Sequence, residues 1–231
     1  MSELYTRIDA NGNPNTEIEE WFSTKIEGPF RPILDQILTL PHLTTEPAPH
    51  NAEKKNLVNQ LGFITNKSVD FIKLSNNEVH LLSKYIAALL VRTPTYLTKI
   101  ANYHDTITPA EFSWGPFCRN DLITQIKLNQ MLQALDAYYE VISKSDFIFI
   151  KTKCDKEFLY SDTGIVAQEP WNSGGIPFDI HAPLTPELAV NVLPAPNPVF
   201  RNKCPVAYLN SQGVSRMNRI IVGNAENFVW G

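Results

Sequence analysis

The sequence predicts an α+β fold in which an N-terminal helical bundle packs on a small, mostly antiparallel sheet, with a C-terminal helix. Apolar residues recur at helical spacing before position 145, and β-rich apolar runs begin at Asp146. Helices and strands that are segregated along the chain are typical of α+β folds, whereas α/β folds alternate them. With 231 residues, 43% of them hydrophobic, we expect one domain over 1–231: mainly helical over 1–145, sheet and loops over 146–210, and a terminal helix over 211–231.

Local signals place the N-terminal helices. The first helix is expected from about Thr16 to Glu27, where an apolar stripe recurs at helical spacing. Gly28-Pro29 should end it, and a second apolar stripe follows at once. The segment Ser75–Glu78 has the pattern of a capping box, which predicts the start of a strong helix. Pro94 cannot donate a helical hydrogen bond, so that helix should end near Arg92.

The predicted core joins two helices to one strand. A helix from about Asp121 to Ser143 shows a clear apolar period, and Phe147 to Ile150 is apolar on both faces, as in a central strand. We expect the helices Ser75–Arg92 and Asp121–Ser143 to pack on that strand, with Leu132 in the core. The remaining segments are predicted as the returning strand of a hairpin (Glu157–Ser161), a Pro/Gly/Asn-rich loop system (Gln168–Pro186), two strands (Leu188–Leu193 and Val206–Leu209) and the closing helix (Gln212–Phe228).

Composition bounds the function. The net charge is −4, and no dense Lys/Arg cluster is present, which argues against a broad nucleic-acid surface but leaves nucleic acid open as a partner. The three cysteines are scattered and fit neither a disulfide framework nor a zinc spacing, so we expect a reducing, cytoplasmic location. The chain has no apolar run of membrane-spanning length, so we expect no membrane partner. It also has no nucleotide-binding glycine motif, so the sequence identifies neither a ligand nor a protein partner.

The best local candidate for a functional site follows a predicted strand. Ser161 and Asp162 stand where an apolar strand delivers the chain to a turn, and strand ends held by a rigid scaffold are common places for catalytic and ligand groups. The alternative is an Asx-turn, in which the Asp162 carboxylate accepts a nearby backbone N–H. Trp171, in the loop system beyond, is a candidate contact residue.

The second candidate is a pair of carboxylates on the first helix. Glu20 and Glu27 are seven residues apart, nearly two α-helical turns, so both should project from one face. Such a pair can bind a divalent cation or act as acid and base, although a solvated helix face explains it as well. Arg92, where the later helix loses its regular hydrogen bonding, could anchor free carbonyls or bind an anion.

Several segments together resemble a known family. The segments are Ile18 to Gly28, Ile86 to Pro94 with its Leu-Val-Arg-Thr-Pro ending, Phe158 to Val166, the Pro-Leu-Thr-Pro of Pro183 to Pro186, and Val214 to Ala225. They resemble, in the same order and over nearly the whole chain, motifs of the domain-of-unknown-function family 4238, which occurs in bacteria and fungi and has no established activity. The resemblance implies that Glu20, Glu27, Arg92, Ser161 and Asp162 are site residues.

The chain departs from the family pattern in two places. Family members usually begin with a His-Tyr-x-Pro-x-x-Tyr-Leu segment, which Met1 to Asn15 does not match, and Thr163-Gly164 replaces the family's Asn-Pro. If the missing histidine carries chemistry, the departure implies a truncated or inactive relative.

Two hypotheses of function follow. In the first, the protein is a metal-dependent hydrolase or nuclease-like enzyme with Glu20, Glu27, Ser161 and Asp162 as catalytic residues. Glu20, Glu27 and Asp162 would bind Mg²⁺ or Mn²⁺, and Arg92 would neutralise a phosphate. In the second, it is a non-catalytic binding or assembly protein, whose contact surface is the Gln168 to Pro186 loop with Trp171.

Overall fold

A computed structural model describes residues 7–8, 14–15, 17–39, 43–47, 68–93, 96, 119–161, 163–168, 179–193, 198, 200, 202–225 and 229–230. Its helices are α1 (Glu17–Phe22), α2 (Gly28–Thr39), α3 (Asn76–Val91), α4 (Arg119–Ile142) and α5 (Ser211–Asn224), with a π-helical turn at Ser23–Glu27. The strands are β1 (Arg7–Ile8), β2 (Pro14–Asn15), β3 (Leu43–Pro47), β4 (Ser68–Lys73), β5 (Asp146–Thr152), β6 (Tyr160–Ser161), β7 (Val166–Gln168), β8 (Asp179–Thr185), β9 (Leu188–Leu193), β10 (Lys203–Leu209) and β11 (Val229–Trp230).

The N-terminal helix does not end where the sequence predicts. Gly28 keeps helical dihedrals, and its N–H donates to the carbonyl of Ser23, so α1, the π turn and α2 follow one another without a break. The prediction that Gly28-Pro29 ends the helix is therefore wrong. A row of buried apolar side chains holds these segments against the core, and such packing outweighs the hydrogen bonds that proline removes. The row comprises Phe22, Ile26, Phe30, Ile33 and Ile37.

The two central helices agree with the local signals. The Ser75 hydroxyl accepts a hydrogen bond from the Glu78 N–H at 3.2 Å, and the Glu78 carboxylate accepts one from the Ser75 N–H at 2.6 Å. This reciprocal capping box starts α3, which ends at Val91 with Arg92 as its C-terminal cap. The helix predicted at Asp121 to Ser143 is also confirmed as α4.

The sheet is larger than the sequence predicts. Seven strands pair in the order β3-β4-β10-β5-β9-β8-β7, with β5 in the middle, as expected for Phe147 to Ile150. The β5–β10 pair is parallel, and the other pairs are antiparallel. The coarse expectation of mixed helices and strands is confirmed. The small sheet is wrong, and so is the helices-first order, because β3 and β4 lie between helices and β11 follows the last helix.

Two further strand predictions are corrected. The antiparallel partner of β5 is β9, with Phe147 opposite Val192, whereas β6 pairs with β11, so the predicted hairpin does not form. The loop predicted over Gln168 to Pro186 contains β8. This strand was missed in the sequence because Pro183 cannot donate a hydrogen bond to a neighbouring strand. In the structure Pro183 lies next to a register irregularity between Pro183 and Thr185.

The core lies on both faces of β5. On one face, Leu82 and Ile86 of α3 and Met131 of α4 pack with Phe147 and Phe149, which confirms the predicted arrangement. On the other face, Ile150 joins a smaller cluster. Leu132 is 38% exposed and does not belong to the core, so that prediction is wrong. Its neighbours Met131 and Leu135, four residues apart, occupy the inward stripe of α4 instead.

Within the described residues, no helix combines the length and the apolar character that crossing a bilayer requires.

Candidate functional site

An ion pair joins the π turn to the end of α3. Nη1 of Arg92 donates a hydrogen bond to Oε1 of Glu27, and the guanidinium carbon lies 5.0 Å from the centroid of the Phe22 ring. The side chains of Arg92 and Glu27 keep 28% and 44% of their surface exposed. A ligand in solution can therefore reach both charges. The π turn orients Glu27 towards α3, and π turns occur frequently at functional sites.

Tyr85 interacts electrostatically with both residues of the pair, and Tyr160 interacts with Tyr85. Tyr85, whose ring stacks on Phe30 at 4.2 Å, has a raised pKa through burial, with a further rise from Glu27 and a partial offset from Arg92. Burial, together with Tyr85 and Glu157, raises the pKa of Tyr160 to about 12. Both phenols therefore stay protonated at neutral pH, and a phenol O–H is a hydrogen-bond donor.

A tight turn lies next to the same end of α3. The hydroxyls of Ser161 and Thr163 are 2.6 Å apart, and the Gly164 N–H donates to the Ser161 carbonyl at 2.8 Å. Gly164 has a φ of +64°, which only glycine adopts without strain. A Cβ placed on Gly164 would lie 3.8 Å from Leu89, and Leu89 is one helical turn before Arg92. The turn is therefore a neighbour of the Arg92 end of α3.

Asn218 of α5 holds the segment that leads into this turn. Its Oδ1 accepts from the Leu159 N–H at 3.0 Å, and its Nδ2 donates to the Glu157 carbonyl at 2.8 Å. A neighbouring β-strand would make the same two bonds, so one side chain here replaces a strand. Sequence reasoning did not select Asn218 as a site residue. Two features of the sequence could have indicated Asn218: it is a side-chain amide inside a predicted helix, and it lies in the segment Val214 to Ala225, which resembles the family.

The predicted site residues are only partly brought together. Glu27 faces Arg92, while Glu20 is exposed on the helix before the π turn. The π turn that ends at Glu27 contains more residues per turn than an α-helix does. The α-helical spacing that predicted both carboxylates on one face therefore does not apply to them. Asp162 and Trp171 lie outside the described residues. In the part of the chain that the structure describes, no group of three His, Cys, Asp or Glu side chains could bind a metal ion, and the site with Asp162 stays a prediction.

One buried histidine, His181, lies on β8. Nδ1 of His181 is 2.6 Å from Oδ1 of Asn191, while its buried Nε2 has no hydrogen-bond partner among the described residues. Burial lowers the pKa of His181, and the contact with Asn191 partly opposes that effect. We therefore assign His181 the neutral form in which Nδ1–H donates a hydrogen bond to Oδ1 of Asn191.

The fold and the site together define a mixed helix-and-sheet protein that presents an accessible Glu–Arg pair near the protonated Tyr85. The chain belongs to the family described as "Protein of unknown function (DUF4238)", whose family model matches residues 2–231. This match confirms the resemblance seen in the sequence. Neither a curated protein nor a solved structure matches the chain. A function must therefore be argued from the geometry of the site.

Proposed function

We propose that this protein is a hydrolase of phosphodiesters, acting as a metal-dependent or nuclease-like enzyme at the Glu27–Arg92 pair. The observation that carries the proposal is the accessibility of both charges, together with the protonated Tyr85, which interacts electrostatically with both of them. A fixed guanidinium with a neighbouring O–H donor is suited to the negative charge that develops on a phosphoryl group during hydrolysis.

Each residue of the pair has a role in the proposed reaction. An incoming phosphate would contact the guanidinium of Arg92, which can bind oxygens of two partners through its several N–H groups. Glu27 would then be released in part from its partner and could accept a proton from the attacking water. The ring of Phe22, 5.0 Å from the guanidinium carbon, keeps Arg92 in place during this exchange.

A divalent cation would supply a more acidic water in the same mechanism. Oxygen ligands favour Mg²⁺ or Mn²⁺, and the carboxylates available are those of Asp162, Glu20 and Glu27. Because Arg92 already neutralises Glu27, Asp162 is the carboxylate that we expect to bind the ion first.

The experiment measures hydrolysis of bis(p-nitrophenyl) phosphate by the full chain, with and without Mn²⁺. Arg92→Gln and Glu27→Gln should each lower the rate by about 100-fold, the range of a lost charge-stabilising or proton-transfer group. Glu46→Gln is the matched control, because Glu46 also pairs with a half-exposed cation, Lys203. Asp162→Asn should lose the dependence on Mn²⁺. Wild type without hydrolysis, with or without Mn²⁺, would contradict the proposal.

A second candidate is a non-catalytic binding or assembly protein. It is supported by Val229 and Trp230, which are 38% and 44% exposed on β11 and pair with Ser161 and Tyr160. An exposed aromatic residue is a common anchor in protein interfaces. Light scattering of wild type and Trp230→Ser distinguishes the candidates: concentration-dependent association that the variant lacks, without any hydrolysis, favours assembly.

For the location we propose the cytoplasm. In the described part of the chain neither Cys154 nor Cys204 forms a disulfide, as expected in a reducing compartment. Cell fractionation with a tagged chain checks this proposal, and recovery outside the cytosolic fraction would contradict it.

A further inference from the structure

A surface pocket separate from the Glu27–Arg92 pair lies between α5 and the segment that precedes β6. It has a volume of about 510 Å³. One wall is a stripe of α5 at helical spacing, and the other wall is formed by residues 155–157 and 159. The bonds of Asn218 to Glu157 and Leu159 fix the distance between the walls. The pocket is therefore built into the fold.

Two cations converge at one end of this pocket. Nζ of Lys156 lies 2.7 Å from the Ser215 hydroxyl, and Nε of Arg219 donates to the Ser215 carbonyl at 3.4 Å. Among the residues that the structure describes, neither cation forms an ion pair with a carboxylate. Two like charges beside one serine repel each other unless an anion lies between them.

The other end of the pocket is apolar. Val222, one helical turn beyond Arg219, is 50% exposed, and Leu159 lines the facing wall. The exposed Val222 side chain is apolar surface in contact with water. A ligand that covers this surface binds more tightly, because burial of apolar surface is favourable. The charged end and the apolar end together describe an amphipathic ligand.

The geometry points to a binding site for a small amphipathic anion, with a phosphate or carboxylate at Lys156 and Arg219 and an apolar group at Leu159 and Val222. Asp155 and Glu157 also line the pocket, although neither pairs with the two cations. Their charges oppose an anion, so they limit its affinity. This site is independent of the proposed hydrolase activity.

Titration calorimetry of the full chain with hexyl phosphate, hexanoate, inorganic phosphate and hexanol tests the site. Hexyl phosphate and hexanoate carry the two candidate anionic groups on the same apolar chain. The one that binds should bind more tightly than inorganic phosphate, which lacks the apolar chain, and than hexanol, which lacks the charge. Lys156→Gln and Arg219→Gln should each weaken its binding by about 10-fold, because each removes a charge-assisted contact. Val222→Ser should lower the affinity for the hexyl ligand and leave the affinity for inorganic phosphate unchanged. Asp155→Asn should raise the affinity for the hexyl ligand, because it removes a negative charge from the pocket.

Arg216→Gln is the matched control, because Arg216 is an exposed cation of α5 that does not line the pocket. An unchanged affinity in this control is expected. Equal losses in Arg216→Gln and Arg219→Gln, or no binding of either hexyl ligand to wild type, would overturn the site. Because the exposed positions 156, 216 and 219 lie outside the core, all of these variants should fold.

Discussion

Glu27 accepts a hydrogen bond from Arg92 across 65 positions of sequence, and this contact fixes a π turn against the end of a helix. The pair is half exposed, so its Coulomb energy is reduced by solvent. We expect a coupling free energy of ~0.5–1 kcal/mol in a double-mutant cycle of Glu27→Gln and Arg92→Gln, from urea unfolding. A cycle on Glu46 and Lys203 should give a similar value. A coupling near zero would show that the Glu27–Arg92 contact contributes nothing to stability.

His181 makes stability depend on pH. Its pKa in the folded protein is lowered from 6.5 by burial, so the unfolded chain binds more protons below pH 6.5. The stabilisation that neutral, buried His181 contributes is complete above pH 6.5 and is lost as the pH falls through the folded pKa. Over that range the free energy of unfolding changes by at most about 1.4 kcal/mol per pH unit.

Urea unfolding of wild type and His181→Gln between pH 5 and pH 8 measures this dependence. The variant should lose less stability on acidification than wild type does. His80→Gln is the control, because His80 is also a described histidine with a lowered pKa and is far less buried. Parallel pH profiles of wild type and His181→Gln would contradict the assignment.

Leu132 and Leu135 of α4 should differ in the stability lost when each is truncated to alanine. Leu135 is 4% exposed and Leu132 is 38% exposed. Leu135→Ala should lower the free energy of unfolding by ~2–5 kcal/mol, because it opens a cavity in the core. Leu132→Ala should cost less than ~1 kcal/mol, since a surface substitution opens no cavity. Denaturant unfolding of both variants measures the difference, and equal losses would place Leu132 in the core after all.

Asn218 should protect the backbone of the segment before β6. Asn218→Ala removes both bonds to this segment and should cost ~1–3 kcal/mol, because it leaves the Leu159 N–H and the Glu157 carbonyl without that partner. Amide hydrogen exchange at Leu159 should become faster. Asn224→Ala is the matched control on the same helix, since the Asn224 side chain donates to the Ile220 carbonyl of that helix and, among the described residues, to no other segment. Unchanged exchange at Leu159 in Asn218→Ala would contradict the role of Asn218.

The parts of the fold that could be predicted from sequence are those set by local contacts. Ser75 and Glu78 start α3 through bonds three residues apart, and the sequence shows both residues. Strand pairing depends on distant segments: Phe147 lies opposite Val192, and no local signal distinguishes that partner from a hairpin partner. The β-strand around Pro183 was missed because proline is atypical of a strand interior.

The candidate site shows the same limit. Glu27 and Arg92 were each selected by sequence, but their contact depends on a π turn that has no sequence signature. The α-helical spacing therefore grouped Glu27 with Glu20 and not with its actual partner. Tyr85 was not selected by sequence, and only its interaction with the ion pair in the folded chain reveals it.

The parallel pairing of β10 with β5 also determines the order in which the chain can fold. Val206 of β10 follows its partner Phe149 by 57 positions, and Cys204 pairs with Ile72, 132 positions earlier. Contacts between such distant residues close long loops, which slows folding. During synthesis the strand that joins the two halves of the sheet emerges after the other six strands of that sheet. Until then β4 and β5 each present an unpaired edge, and the growing chain is open to aggregation.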